Sequence, residues 1–192
     1  MKLRVRVPLA LAALLALAGC QVTTFELSPL AALPCDPAVA GEWHSVGDEP
    51  SGDGEMILRV SADCQLEIEE RTPAGPRHGE ATPLFLGEHA GQRYAWTDGA
   101  WLLRRFGEDH ALPAGDVHLV RFAITGDRLE LWSTDDKPIA HAIIDGELSG
   151  EVIARDRSLF NRLTAPQPPE VLARPGLFDA EPAAFRKVEP RP

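Results

Sequence analysis

The sequence predicts a mainly β protein, a meander of short antiparallel strands with one or two short helices in its C-terminal part. Three observations carry this. From Gly41 onward, apolar and polar residues alternate with period two in one short run after another. Two pairs of such runs flank the turn dipeptides Asp98-Gly99 and Gly126-Asp127. The glycines lie between runs as punctuation and no strand–long-helix alternation occurs, so a barrel or sandwich is expected rather than an α/β fold.

Taken in order, residues 21–34 (QVTTFELSPLAALP) have no clear period and read as a tether. In MILRVS (56–61), Met56, Leu58 and Val60 lie on one side, with Arg59 and Ser61 on the other. In CQLEIEE (64–70), Cys64, Leu66 and Ile68 face inward while Gln65, Glu67 and Glu69 face water, as a strand with one wet face requires. QRYAWT (92–97) and AWLLRRF (100–106) read as a hairpin across Asp98-Gly99 because both turn residues tolerate positive φ. VHLVRFAIT (117–125) and RLELWST (128–134) read as a second hairpin. KPIAHAIIDGEL (137–148) fits a short helix ended by Gly146, and SLFNRLT (158–164) fits a strand. PPEVLARPGLF (168–178) opens with prolines suited to a helix start and closes on a Pro-Gly stop. AAFRKV (183–188) reads as the last strand.

The first twenty residues are of another kind. Lys2, Arg4 and Arg6 precede an uninterrupted apolar run from Val7 to Leu17, then Ala18, Gly19 and Cys20. A charged start, a short apolar stretch and a small-residue end describe an export signal. The run is shorter than the roughly 20 residues that span a bilayer. The LAGC at 17–20 resembles the lipobox of bacterial lipoproteins. That resemblance implies cleavage before Cys20 and acylation of Cys20, which becomes the first residue. Gln21, where Asp would favour inner-membrane retention, implies the outer membrane, with the protein on its periplasmic face. Several acyl chains together anchor stably. The expected organisation is therefore a signal peptide at 1–19, a lipid-anchored tether at 20–34 and one domain at 35–189.

The chain carries 19 basic and 29 acidic residues, and the signal holds three of the basic ones, so the chain after Gly19 has a formal charge of −13. Such acidity is unfavourable for nucleic acid and for anionic headgroups. Contact with the membrane is then expected through the lipid on Cys20. Of three cysteines, Cys20 is taken by the lipid, leaving Cys35 and Cys64, 29 residues apart. An even pair in an oxidising compartment predicts a disulfide. Topology agrees. If strands at 41–46, 56–61 and 64–70 run up, down and up, Cys64 returns to the end where Cys35 leads in. Two cysteines without a histidine cluster do not make a metal site.

VAGEWHSV (39–46) places Gly-x-Trp at the start of the first strand of the meander. This resembles the opening of lipocalins and lipocalin-like barrels. GDRLELW (126–132), AHAIIDGELSGEV (140–152) and LFDAEPAAFRKV (177–188) are similar to segments of bacterial lipocalin-like lipoproteins. The resemblance covers about residues 39–189. It implies an antiparallel up-and-down barrel of about eight strands, with Trp43 plugging its closed end and Arg186 packed across the indole by a cation–π contact. An immunoglobulin-like sandwich would need its cysteines about twice as far apart.

Tyr94, Trp96, Trp101, Phe106, Phe122 and Trp132 are the candidate cavity residues, and the sequence leaves open whether they line a cavity or fill a core. The histidines at 44, 78, 89, 110, 118 and 141 show no metal spacing and read as scattered surface or loop residues. No Gly-x-Ser-x-Gly elbow or phosphate loop is present. DEPSGDGE (48–55) offers oxygens to calcium, yet its spacing does not fit an EF-hand and a strand connection accounts for it equally well. Glu67, Glu69 and Glu70 offer carboxylates for glycoside chemistry, against the simpler reading of a wet sheet face. No cofactor and no catalysis are expected. The sequence favours non-enzymatic binding of a small hydrophobic ligand or peptide. The alternative is an envelope assembly partner whose barrel is filled and whose outer surface binds another protein.

Overall fold

The computed structural model describes residues 21–46, 55–72, 74–105, 112–155 and 158–188. Cys20, Phe106 and most of the acidic stretch at 48–55 lie outside these residues. The fold is mainly β, with thirteen strands in one mixed sheet and two α-helices among the described residues. The strands are β1 (Gln21–Phe25), β2 (Gly41–Ser45), β3 (Glu55–Val60), β4 (Gln65–Thr72), β5 (Gly75–His78), β6 (Thr82–Pro83) and β7 (Phe85–His89). There follow β8 (Gln92–Asp98), helix α1 (Gly99–Arg105), β9 (Val117–Thr125), β10 (Arg128–Trp132) and helix α2 (Asp136–Ile144). The chain ends with β11 (Gly150–Arg155), β12 (Ser158–Leu163), a 3-10 turn at Pro169–Ala173 and β13 (Ala183–Val188).

Hydrogen-bonded neighbours run β11-β12-β1-β9-β10-β13-β2-β3-β4-β5, with β6 beside β4 and β7 beside β8, itself on β9. The long strand β9 explains the branching. β8 covers one of its edges from Val117 to Phe122. The other edge is shared by β1 at Val117 and β10 from Arg121 onward. The sheet is not closed. The chain changes partner near Leu84, whose N–H donates to the Cys64 carbonyl on the β4 side. Phe85 then already pairs with Trp96 of β8. The Leu86 carbonyl is taken by the Leu33 N–H at 2.8 Å, so the lead-in covers the edge of β7.

Several strands form where period two places them. The β9–β10 hairpin turns at Gly126-Asp127, with Thr125 opposite Arg128 and Gly126 at φ 61°. β13 occupies AAFRKV throughout. The expected hairpin at Asp98-Gly99 does not form, and residues 99–105 are helix α1. The Asp98 carboxylate accepts the Trp101 N–H at 2.5 Å and caps the first turn. Leu, Ala and Arg are good helix formers, and Arg104 and Arg105 sit favourably at the C-terminal end. Gly99 serves close packing: a Cβ there would meet the Asp116 carbonyl at 3.2 Å and Thr24 Cγ2 at 3.3 Å.

The tether reading of 20–34 is also corrected. β1 runs parallel to β12 from Gln21 to Phe25, with Phe25, Thr23 and Thr24 buried. The domain therefore begins before Cys35, and the sheet is mixed rather than purely antiparallel. Residues 150–155, beyond the helix expected at 137–148, pair as β11 with β12.

Two apolar layers share β8 and β9. One gathers Trp43, Leu58, Ile68, Ala95, Phe122 and Phe185. The other gathers Phe25, Tyr94, Leu119, Ile139, Leu163 and Phe178 beneath α2 and the 3-10 turn. Alternation along β8 and β9 sends Ala95 and Phe122 one way, Tyr94 and Leu119 the other.

Candidate functional site

The first layer is not filled. It holds a partly open cavity of about 300 Å³, walled mainly by aliphatic side chains. β3 contributes Met56, Leu58 and Val60, and β4 contributes Leu66 and Ile68. Val120, Phe122 and Ile124 come from β9, Leu129 and Leu131 from β10, and Phe185 from β13. These are the alternate positions of each strand, so the period-two pattern of the sequence built the wall.

Trp43 forms one end. Its indole is fully buried and its Nε1–H donates to the Val39 carbonyl at 2.9 Å. The cation across the ring is Lys187, with Nζ 5.0 Å from the centroid. Arg186, the expected partner, points outward and lies 3.7 Å from Asp127. The carry-over missed by one residue, and on a strand one residue changes the face. Lys187, opposite Trp43 in the β2–β13 ladder, has the register that the contact needs.

At the other end, Thr97, Leu102, His118 and Ser133 face the cavity. Helix α1 carries Leu102 there and is tied across to β4 and β5. Arg105 Nε donates to the Ile68 carbonyl at 2.9 Å and Nη2 to the Arg77 carbonyl at 2.8 Å. Trp101 Nε1 donates to the Glu80 carbonyl at 2.9 Å. Thr97 Oγ1 already donates to the Pro83 carbonyl at 3.0 Å.

His118 is the ionisable side chain on this wall. Its Nδ1 lies 3.2 Å from the Thr23 carbonyl of β1. A carbonyl only accepts, so Nδ1 carries the proton. Burial pushes the imidazole pKa down, and the weaker pull of that carbonyl does not reverse it. The ring is thus neutral near pH 7 and presents Nε2 as an acceptor, with no hydrogen bond to Nε2 among the described residues. Expected among the scattered surface or loop histidines, His118 instead faces the cavity. Its phase on β9, shared with Val120, Phe122 and Ile124, was the available signal.

Of the six aromatic candidates, Phe122 lines the cavity, and Trp96 borders it while packing in the second layer. Tyr94 and Trp132 face the opposite layer. Trp101 packs on α1 beside the first layer, and Phe106 lies outside the described residues. Cys35 and Cys64 form a disulfide, with Cα atoms 5.7 Å apart.

The carboxylates at 67–70 take a structural role. Glu69 is 5% exposed and binds Arg71 at 2.7 Å and Arg59 at 2.8 Å. These bonds, Arg71 first, hold its pKa below the usual range, so it is poorly suited to donate a proton. The same contacts continue through Glu42, His44 and Glu55 into a ring of six alternating acidic and basic groups on the outer face of β2, β3 and β4. Comparison with family models, curated proteins and solved structures gives no match to this chain.

Proposed function

We propose that this protein is a lipid-anchored envelope protein of the outer membrane, held through Cys20, that binds one small apolar ligand within a lipocalin-like barrel. Eight strands would wrap the cavity: β2, β3, β4, the segment 82–89, β8, β9, β10 and β13. The pairing of 82–83 with β4 and of 85–89 with β8 supports that wrap. The observation that carries the binding role is the apolar cavity of about 300 Å³ above a buried tryptophan. This is the lower end of ligand pockets, which run roughly 300–1,000 Å³. His118 narrows the chemistry further. A neutral imidazole offering only a lone pair favours a neutral ligand with an apolar body and one hydroxyl, since an unpaired polar group in such a wall would be costly. The filled-barrel assembly partner would have no use for this volume.

Native mass spectrometry of the full protein from the envelope tests the reading, together with displacement of a fluorescent apolar probe by a fatty alcohol. A carried apolar molecule, and displacement lost when Ala95→Phe fills the cavity, would support it. If the wild-type protein carries nothing and binds no probe, the ligand role is wrong and partner binding takes its place.

A further inference from the structure

The second cleft lies on the opposite face of β8 and β9. The half-buried Arg59, Arg93, Arg105, Arg162 and Arg174 each have a carboxylate within 4.0 Å. Arg121 has none among the described residues. Its guanidinium lies against two rings, with Cζ 4.5 Å from the Trp132 centroid and 5.5 Å from that of Phe178. Its Nε–H is buried without an acceptor. A donor so placed is costly to leave unpaired, and native structures seldom carry such a group without a reason. The group borders a cleft of about 240 Å³ that Tyr94, Gln92, Leu172, Arg174 and Phe178 also line. The Tyr94 ring is 2% exposed, and its hydroxyl makes no hydrogen bond among the described residues. Arg174, the other cation, is engaged by Glu147.

We propose that this cleft binds the carboxylate of a small organic acid, with the Arg121 guanidinium as its receptor and the Tyr94 hydroxyl as a second donor. Contact with the two rings restrains the guanidinium, and a planar fork matches a carboxylate. One uncompensated positive charge suits a monoanion, whereas a dianion would leave a charge unpaired in a half-buried site. The net charge of −10 repels anions at long range, so selectivity must come from the cleft itself. The volume lies below the range of drug-sized pockets and suits a metabolite-sized acid. This site is independent of the apolar cavity, which lies across the sheet.

The test is titration of the ¹⁵N-labelled full chain with benzoate, neutral benzamide and inorganic phosphate, following the Arg121 Nε–H resonance. Benzoate should shift it saturably, benzamide should not, and phosphate should act only weakly. Arg121→Lys, which keeps the charge and loses the fork, should weaken benzoate about tenfold or more. Tyr94→Phe, the gentler change, should weaken it about threefold to tenfold. A fluorescent apolar probe in the other cavity should be undisturbed by benzoate. An unmoved resonance at millimolar benzoate, or equal responses to benzoate and benzamide, would leave Arg121 as a structural clamp only. Phosphate binding as tightly as benzoate would overturn the carboxylate assignment.

Discussion

Two histidines have opposite pH dependence because their surroundings differ. His118 is held below its ordinary value of 6.5, chiefly by burial. The unfolded chain then binds the proton more readily, so its contribution to stability is full above pH 6.5 and is lost as the pH falls. For His44, burial opposes the charge, but hydrogen bonds to Glu42 and Glu55 outweigh it and raise the pKa. Its contribution is full below 6.5 and is lost as the pH rises through the raised value. Thermal melts between about pH 5 and about pH 8 should therefore respond oppositely to two variants. His118→Phe should remove part of the acid-side loss, and His44→Gln part of the alkaline-side loss. His118→Phe should also lower the preference for an alcohol over the matching alkane; an unchanged preference would remove His118 from the ligand site. At the other end of the cavity, Trp43→Ala should cost about 3–5 kcal/mol by denaturant unfolding. Lys187→Ala should cost about 0.5–1 kcal/mol through the lost cation–π contact. Arg186→Ala, on the wet face, should stay within about 0.5 kcal/mol.

At the level of elements, the disulfide fixes the lead-in to the β3–β4 turn. Cys35→Ser with Cys64→Ser should cost about 3.5 kcal/mol on chain-entropy grounds, an upper figure that chemical denaturation can check. Helix α1 depends on its cap, so Asp98→Ala should lower stability by about 0.5–2 kcal/mol and loosen the Leu102 end of the cavity. A probe that binds the Asp98→Ala protein with unchanged affinity and rate would show that α1 does not guard that end. These elements also mark what was legible in the sequence. MILRVS and CQLEIEE announced the faces they turn to the cavity, Met56, Leu58 and Val60 and then Leu66 and Ile68, because side chains alternate along a strand. AWLLRRF did not, because an aspartate capping a helix and an aspartate opening a hairpin look alike before the carboxylate meets the Trp101 N–H. β1 was illegible for another reason. QVTTF has no alternation to read, since Thr23 and Thr24 are both buried by tertiary partners that arrive from distant parts of the chain. The Arg121 cleft was hidden too, because only the arrangement in space shows that no carboxylate among the described residues reaches Arg121.

For the whole molecule, β1 is the joint between the two layers. It pairs with β12 along its length and with β9 at Phe25. Its Thr23 hydroxyl donates to Asp136 at 2.6 Å, tying it to α2, while the Thr23 carbonyl holds the His118 tautomer in the cavity wall. Thr24 and Arg162 meet at the buried Asp116, which Arg162 grips at 2.7 and 2.9 Å. This joint begins one residue after Cys20. If that cysteine carries the lipid, no slack separates the membrane from the fold, and the second layer is held against the anchor. A chain starting at Cys35 should therefore not be an intact domain, although it keeps the disulfide and every strand from β2 onward. It would expose the β12 edge, leave Asp116 and Arg162 short of a neighbour and free the His118 ring. Phe25→Ala isolates the packing part of this effect and should cost about 3–5 kcal/mol. The truncated chain should lose more, with a lower melting temperature and weaker binding of an apolar probe. A flexible Gly-Ser spacer between Cys20 and Gln21 should leave both unchanged, because it lengthens the attachment without touching β1. A truncated chain that melts like the parent would mean that β1 is an appendage, and that the segment before Cys35 is a tether after all.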